Sequence, residues 1–173
     1  MPYEESQRLN LRGQVYKAYD QSGVVVNNQL DFKGNKLAVQ KGIAEKYDVD
    51  IDWAPATSLR YGQEADDLLL KDEVSRKPIL FTQITEYDAL NRMTRLYNWH
   101  RGVGTRVAVY EPTYNERGLL LSEDLVVNAI KREETYDGGT RTHTLRQIAY
   151  DAKGQKTSVE YGTGEETGLF QCV

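Results

Sequence analysis

A chain of 173 residues that carries the same reversal signal five times is committed to turns before anything else about it is considered. The pattern is an aromatic residue or Leu, then Asp or Asn, two variable residues, then Gly or Asn. Its copies read Tyr19-Asp20-Gln21-Ser22-Gly23, Leu30-Asp31-Phe32-Lys33-Gly34, Tyr87-Asp88-Ala89-Leu90-Asn91, Tyr114-Asn115-Glu116-Arg117-Gly118 and Tyr150-Asp151-Ala152-Lys153-Gly154. Tyr136-Asp137-Gly138-Gly139 is a near miss, its Gly one place early. Asp or Asn at the first corner of a type I turn accepts a hydrogen bond from the backbone N–H two residues on. A closing Gly in the left-handed region then gives the three-residue hairpin loop with a bulge, whose twist suits the flanking strands. Asn91 keeps that logic, because Asn tolerates left-handed backbone better than other side chains. The residue before each turn becomes the last of a strand.

The flanks are strand-like. Lys156 to Tyr161 sets Lys156, Ser158 and Glu160 on one side and Thr157, Val159 and Tyr161 on the other, the period of a sheet with one wet face. Phe81 to Tyr87 and Arg106 to Tyr110 precede turns and are rich in β-branched and aromatic residues; Val24-Val25-Val26, Lys36-Leu37-Ala38-Val39 and Leu119-Leu120-Leu121 follow turns. Tyr appears 12 times against Phe 3 and Trp 2, with 14 Gly, which suits half-buried pleats joined by tight turns. The expectation is an all-β fold of successive antiparallel hairpins forming a curved sheet. Copies start 11, 57, 27 and 36 residues apart, so the unit is a hairpin of variable length rather than a fixed solenoid coil. The longest gap holds an irregular insertion, residues 40–78, with a short helix or loop around 42–75. Gly42 to Tyr47 reads as a short helix, and Glu64 to Val74 as a helix or charged loop.

Composition excludes several functions. A formal net charge of -4 weighs against a sequence-independent grip on nucleic acid, which needs Lys and Arg against phosphates. No run approaches the roughly 18 apolar residues of a membrane span, and Met1 to Arg12 lacks the apolar stretch of a signal peptide, so export would depend on something else. The single cysteine, Cys172, rules out an intrachain disulfide and a thiolate zinc cluster. There is no Gly-x-Ser-x-Gly elbow, no phosphate-cradling loop and no His-Glu-x-x-His. No cofactor, metal or catalysis is expected.

Sharper chemistry has few footholds. Asp48, Asp50 and Asp52 alternate as calcium ligands do, but a calcium loop wants Gly sixth and Glu twelfth, where Trp53 and Leu59 stand; a solvated loop or polar strand edge fits better. His100, His143 and Cys172 hold the elements of a nucleophile and its base, yet nothing in their spacing joins them, and both histidines read as surface residues, His100 in a loop and His143 in a Thr-rich strand. Tyr19, Tyr87, Tyr114 and Tyr150 suggest either a sugar-stacking platform, with Trp53 and Trp99 as glycan contacts, or a packed ladder across neighbouring hairpins. The ladder is favoured, since cross-strand aromatic pairs are the ordinary unit of sheet stabilisation. Glycosidase chemistry, which needs two carboxylates among 26 acidic residues, is the third reading.

Taken together, the five turns resemble the Rhs or YD-repeat family. Tyr87-Asp88-Ala89-Leu90-Asn91-Arg92, Pro112-Thr113-Tyr114-Asn115-Glu116 and Tyr150 to Thr157 followed by Tyr161-Gly162-Thr163-Gly164 are especially similar to the C-type subunits of bacterial insecticidal toxin complexes, and the likeness runs from about Gly13 to Gly164. The resemblance implies a hairpin sheet that spirals into a hollow shell around a toxin polypeptide. Its partners would be other YD-repeat segments or toxin-complex subunits and the encapsulated polypeptide, in an exported or secreted assembly. Five hairpins make only a patch of such a shell, so residues 1–173 read as one segment of a larger wall. The family's self-cleaving segment and variable toxin domain have no counterpart here. In animal teneurins related repeats serve adhesion, and an adhesion module binding carbohydrate or protein through the aromatic sheet face is the alternative.

Overall fold

The computed structural model describes residues 3–54, 65–163 and 166–171. Cys172, Gly164, Leu59 and Glu64 lie outside them. After a short helix α1 (Tyr3–Arg8) come β1 (Lys17–Asp20), β2 (Gly23–Leu30), β3 (Lys36–Ile43), β4 (Leu80–Tyr87), β5 (Met93–His100), β6 (Arg106–Tyr114), β7 (Leu120–Lys131), β8 (Tyr136–Asp137), β9 (Thr140–Tyr150), β10 (Lys156–Thr163) and β11 (Glu166–Gln171). The chain is mostly β, with antiparallel pairing and an open hydrogen-bonded path, as the turn signals require. It divides into two compact units, Met1–Ile84 and Thr85–Val173, with the boundary inside β4.

In the first unit the strand order is β1-β2-β3-β4. The expected helix at Gly42 to Tyr47 does not form, because sheet partners on both sides take the backbone there. Gly42 pairs with Val24 and with Leu80, Ala44 N–H donates to Ser22 C=O at 2.9 Å, and Leu70 N–H donates to Ile43 C=O at 2.8 Å. Gly42 is also sterically required: a Cβ would meet Leu69 Cδ1 at 2.8 Å and Val24 Cγ1 at 3.2 Å. Of the Glu64 to Val74 stretch, Ala65–Leu68 forms a 3-10 turn, and beyond it single bridges join Ala44 to Leu69 and Lys71 to Pro78. Val24, Leu30, Ala44 and Leu69 are buried.

In the second unit the order is β4-β5-β6-β7-β9-β10-β11, with β8 paired to β7. Tyr97, Val107, Val109, Val126 and Ala129 are buried, and Leu145, Ile148 and Val159 form a cluster that Leu120 and Tyr150 join. The alternating strand read in sequence is β10, but of the face expected to be dry Val159 is buried while Thr157 and Tyr161 are exposed, because register shifts between Lys156 and Ser158 and between Glu160 and Tyr161 break the period. The near-miss segment at Tyr136 opens no hairpin. Both β8 and β9 pair with β7, at Ile130↔Asp137 and Val127↔Thr140, and Gly138 and Gly139 (φ 62° and 86°) bridge the gap between them opposite Asn128 (φ 57°). A Cβ on Gly139 would strike Val127 O at 2.8 Å, so only Gly fits.

Candidate functional site

Four of the five turns share one set of bonds. In the copies opened by Asp31, Asp88, Asn115 and Asp151, the N–H of the left-handed residue (Gly34, Asn91, Gly118, Gly154) donates to the C=O of the opening residue at 2.9–3.1 Å. That residue's N–H donates in turn to the C=O of Asn35, Arg92, Leu119 or Gln155 at 2.9–3.0 Å. Its side-chain Oδ1 accepts from the N–H two places on, as sequence implied, and also from the N–H after the left-handed residue, at 2.8–3.0 Å. The closing residues sit at φ 90°, 65°, 77° and 85°. Backbone N–H donation at Arg92 and hydrogen bonds from its side chain hold the Asp88 carboxyl below its ordinary value.

The first copy departs from the three-residue expectation. Asp20 pairs directly with Gly23 across a two-residue loop, and Asp20 Oδ1 accepts from Ser22 N–H at 2.7 Å and Gly23 N–H at 3.0 Å. Gly23 also pairs with Ile43 on its other side, and a Cβ there would lie 2.0 Å from Gly42 O, so only Gly fits.

The tyrosines do not stack as a ladder. Among the described residues the ring pairs are Tyr19 with Trp53 and Tyr97 with Tyr136. Tyr114 instead donates its hydroxyl to Met93 C=O at 2.9 Å, and Tyr150 to Leu120 C=O at 2.7 Å. Met93 and Leu120 hold the same place in their repeats, the first residue of the strand leaving a turn, so each tyrosine fastens the exit of the preceding turn. Arg92 lies over the Tyr114 ring at 4.8 Å, and the Arg117 guanidinium donates forward to Asp151 C=O at 2.8 Å and Ala152 C=O at 3.0 Å. The third, fourth and fifth turns are thereby tied along one edge. Leu30 is buried at its strand end and Tyr87 is half-buried.

A charged row crosses one face of the second unit. Tyr97 pairs with Val109, Val109 with Val126 and Val126 with Arg141, so two places along each strand Arg95, Glu111, Asp124 and His143 share that face. Glu111 and Asp124 stand directly opposite, a repulsive arrangement by itself. Arg141 resolves it by reaching Glu111 Oε2 at 2.8 Å and Asp124 Oδ2 at 2.7 Å. Arg95 adds Glu111 Oε1 at 2.7 Å and Glu86 Oε2 at 3.2 Å, and His143 Nδ1 meets Asp124 Oδ1 at 2.6 Å. Burial pushes both carboxyls up, but hydrogen bonds from Arg95 and Arg141 to Glu111, and from Arg141 and His143 to Asp124, outweigh it and hold them below their ordinary values. A general acid must stay protonated, and these carboxylates are tuned the other way.

Beside the row, Lys131 is only 3% exposed. Its ammonium donates to the carbonyls of Arg132, Glu133 (3.0 Å) and Thr135 (3.3 Å) and lies 4.6 Å from the Tyr97 ring centre. Burial lowers its proton affinity. The exposed Arg132-Glu133-Glu134 run therefore keeps its side chains in solvent while its backbone carbonyls wrap a cation. His100, read as a surface loop residue, ends β5 and is 3% exposed, with Nδ1 2.8 Å from Asn98 C=O; burial depresses its pKa and favours the neutral ring. His143 does lie exposed on a strand. Asp48, Asp50 and Asp52 lie in irregular chain. Trp53 donates Nε1–H to Asp20 C=O at 3.0 Å while its ring meets Tyr19 at 5.1 Å, so it caps the first turn. Trp99 lies on β5, partly exposed.

Sequence reading missed Arg95, Glu111, Asp124, Arg141, Lys131 and Arg117. A signal for the row exists, since Val107-x-Val109-x-Glu111 and Asp124-x-Val126 place charges in step with buried valines.

No family model matches the chain, and no curated protein sequence matches it. Solved structures do. A crystal structure of TcdB2-TccC3-Cdc42 aligns at TM-score 0.66 and 19% identity over 91% of this chain and 6% of that one. One of TcdB2-TccC3 without its hypervariable C-terminal region gives 0.66 and 18% over 90% and 6%. The Photorhabdus luminescens Tc holotoxin pore gives 0.66 and 19% over 90% and 6%. The shared feature is the fold, and this chain spans a small part of those much longer chains.

Proposed function

We propose that this chain is a structural segment of a YD-repeat shell that encloses a toxin polypeptide, with no catalysis of its own. The observation that carries the reading is the repeated turn: four copies with one bond set, three of them tied edge to edge by Arg92, Tyr114, Arg117 and Tyr150. Such an array extends by adding hairpins, as a wall does. The fold likeness to TcdB2-TccC3 structures, over nine-tenths of this chain, supports the reading, in which the partners are toxin-complex subunits of a secreted assembly. The charged row supports a non-catalytic role, because its carboxylates are committed to arginines.

The test is a chimera in which this chain replaces the aligned stretch of TccC3 within TcdB2-TccC3. Retained protease protection of the enclosed polypeptide is the expected result. A chimera that folds and assembles but leaves that polypeptide open to digestion would overturn the reading.

A further inference from the structure

Strand β9 breaks its pairing twice within a few residues. Against β7 it pairs at Asp124↔His143 and Glu123↔Leu145, which leaves Thr144 over. Against β10 it pairs at Tyr161↔Leu145 and Glu160↔Gln147, which leaves Arg146 over. Bulges of this kind re-aim side chains and recur beside functional sites. Here they are locked in place. Thr144 Oγ1 donates to Glu123 C=O at 3.0 Å, and a Cβ on Gly162 would lie 2.1 Å from His143 O, so only Gly lets β10 approach this stretch. In a regular strand His143 and Arg146, three places apart, would point to opposite faces. With the bulges both border the same two depressions, one of about 450 Å3 lined also by Ser122 and Asp124, the other of about 90 Å3 lined also by Arg141, Thr142 and Gly162.

The groups gathered there divide into engaged and unengaged. Asp124 is half-buried and both its oxygens are taken, Oδ1 by His143 Nδ1 and Oδ2 by Arg141, so it orients the imidazole. Nδ1 therefore carries a proton, and Nε2 has no partner among the described residues. The Arg146 guanidinium has neither ion pair nor hydrogen bond among the described residues. Ser122 Oγ and Thr113 Oγ1, 2.7 Å apart, use one proton in the bond between them and keep the other to donate. A forked cation, an imidazole nitrogen and a hydroxyl are thus left to a ligand. A planar carboxylate would be used up by the fork, whereas a phosphate monoester has three terminal oxygens, enough for the fork and for the hydroxyl and imidazole besides. We infer that Arg146, His143 and Ser122 bind a phosphate monoester. The site lies beside the charged row, uses the groups that row leaves free, and is independent of the enclosing role proposed above.

The test titrates the isotope-labelled intact chain with glycerol 2-phosphate, inorganic phosphate and acetate at a constant ionic strength of about 0.15 M, following the Arg146 side-chain N–H and the His143 ring by NMR. Both phosphates should give saturable shifts at these two residues, and acetate should bind on the order of tenfold more weakly. Arg146→Gln should weaken phosphate binding on the order of tenfold, through loss of the charged fork, and Ser122→Ala about threefold. Arg106→Gln, which removes an exposed cation on β6, should leave binding unchanged. Arg146 makes no bond that the fold uses, so an unchanged melting curve will show that Arg146→Gln is intact. Absence of saturable shifts, acetate binding as tightly as phosphate, or binding indifferent to Arg146→Gln would overturn the inference.

Discussion

At the scale of the residue, the turn-opening Asp or Asn acts as a staple closed within five consecutive residues. Asn115 does with a neutral amide oxygen what Asp31, Asp88 and Asp151 do with a carboxylate, so geometry rather than charge carries the turn. Asp151→Ala removes the two bonds that its Oδ1 accepts from the backbone N–H groups of Lys153 and Gln155 and should lower stability by about 1–2 kcal/mol in chemical denaturation. Gly154→Val should cost about 1–3 kcal/mol, because a β-branched residue resists φ 85°. Lys153→Ala, at an exposed corner, is the control and should leave the melting temperature unchanged. These turns were legible in sequence because every interaction that defines them is local. The exception, Asp20, was not, because its closing Gly23 also pairs with Ile43, a partner that the local sequence does not show.

At the scale of the element, neighbouring hairpins paired strand to strand are also tied at their ends by single side chains rather than by stacked rings. Tyr114→Phe and Tyr150→Phe each delete one hydroxyl-to-carbonyl bond while keeping the ring, and each should reduce stability by about 0.5–1.5 kcal/mol by urea titration. Lys131→Met strips a carbonyl-lined loop of its cation and should cost about 1–3 kcal/mol, with hydrogen exchange rising first in residues 132–135. Strand existence followed from β-branched and aromatic content beside the turns and, at Lys156 to Tyr161, from alternation, and β2, β3, β4, β6 and β10 fall where sequence put them. The charged row did not follow. Arg95, Glu111, Asp124, Arg141 and His143 meet only once four strands adopt one register, and register is a long-range property. The Gly42 to Tyr47 error has the same root, since a short apolar run carries no mark of the partners that will claim its backbone.

At the scale of the whole molecule, two behaviours should be measurable. Glu111 and Asp124 titrate below their ordinary values of 4.5 and 3.8, so the stability they contribute is complete above those values and is lost as pH falls through the lower folded ones. Melting temperature should therefore stay level from neutral pH down to about pH 5 and fall below about pH 4, with a shallower fall in Asp124→Asn. Among the described strands β1 pairs only β2 and β11 only β10, which leaves strand edges open to another chain. Sedimentation velocity should show average mass rising with concentration above 19.8 kDa, and a concentration-independent monomer would argue against a shell segment.

The self-contained reversals have a genetic corollary. From Asn115 to Tyr150 the chain makes one outward and one returning pass, begins with its own staple and ends with the tyrosine that secures the exit of that staple. Repeating those codons in frame would insert a complete out-and-back stitch while leaving the polarity of everything downstream intact. A variant with residues 115–150 duplicated should still melt in one cooperative step, as a fabric does not unravel for being knitted one row longer.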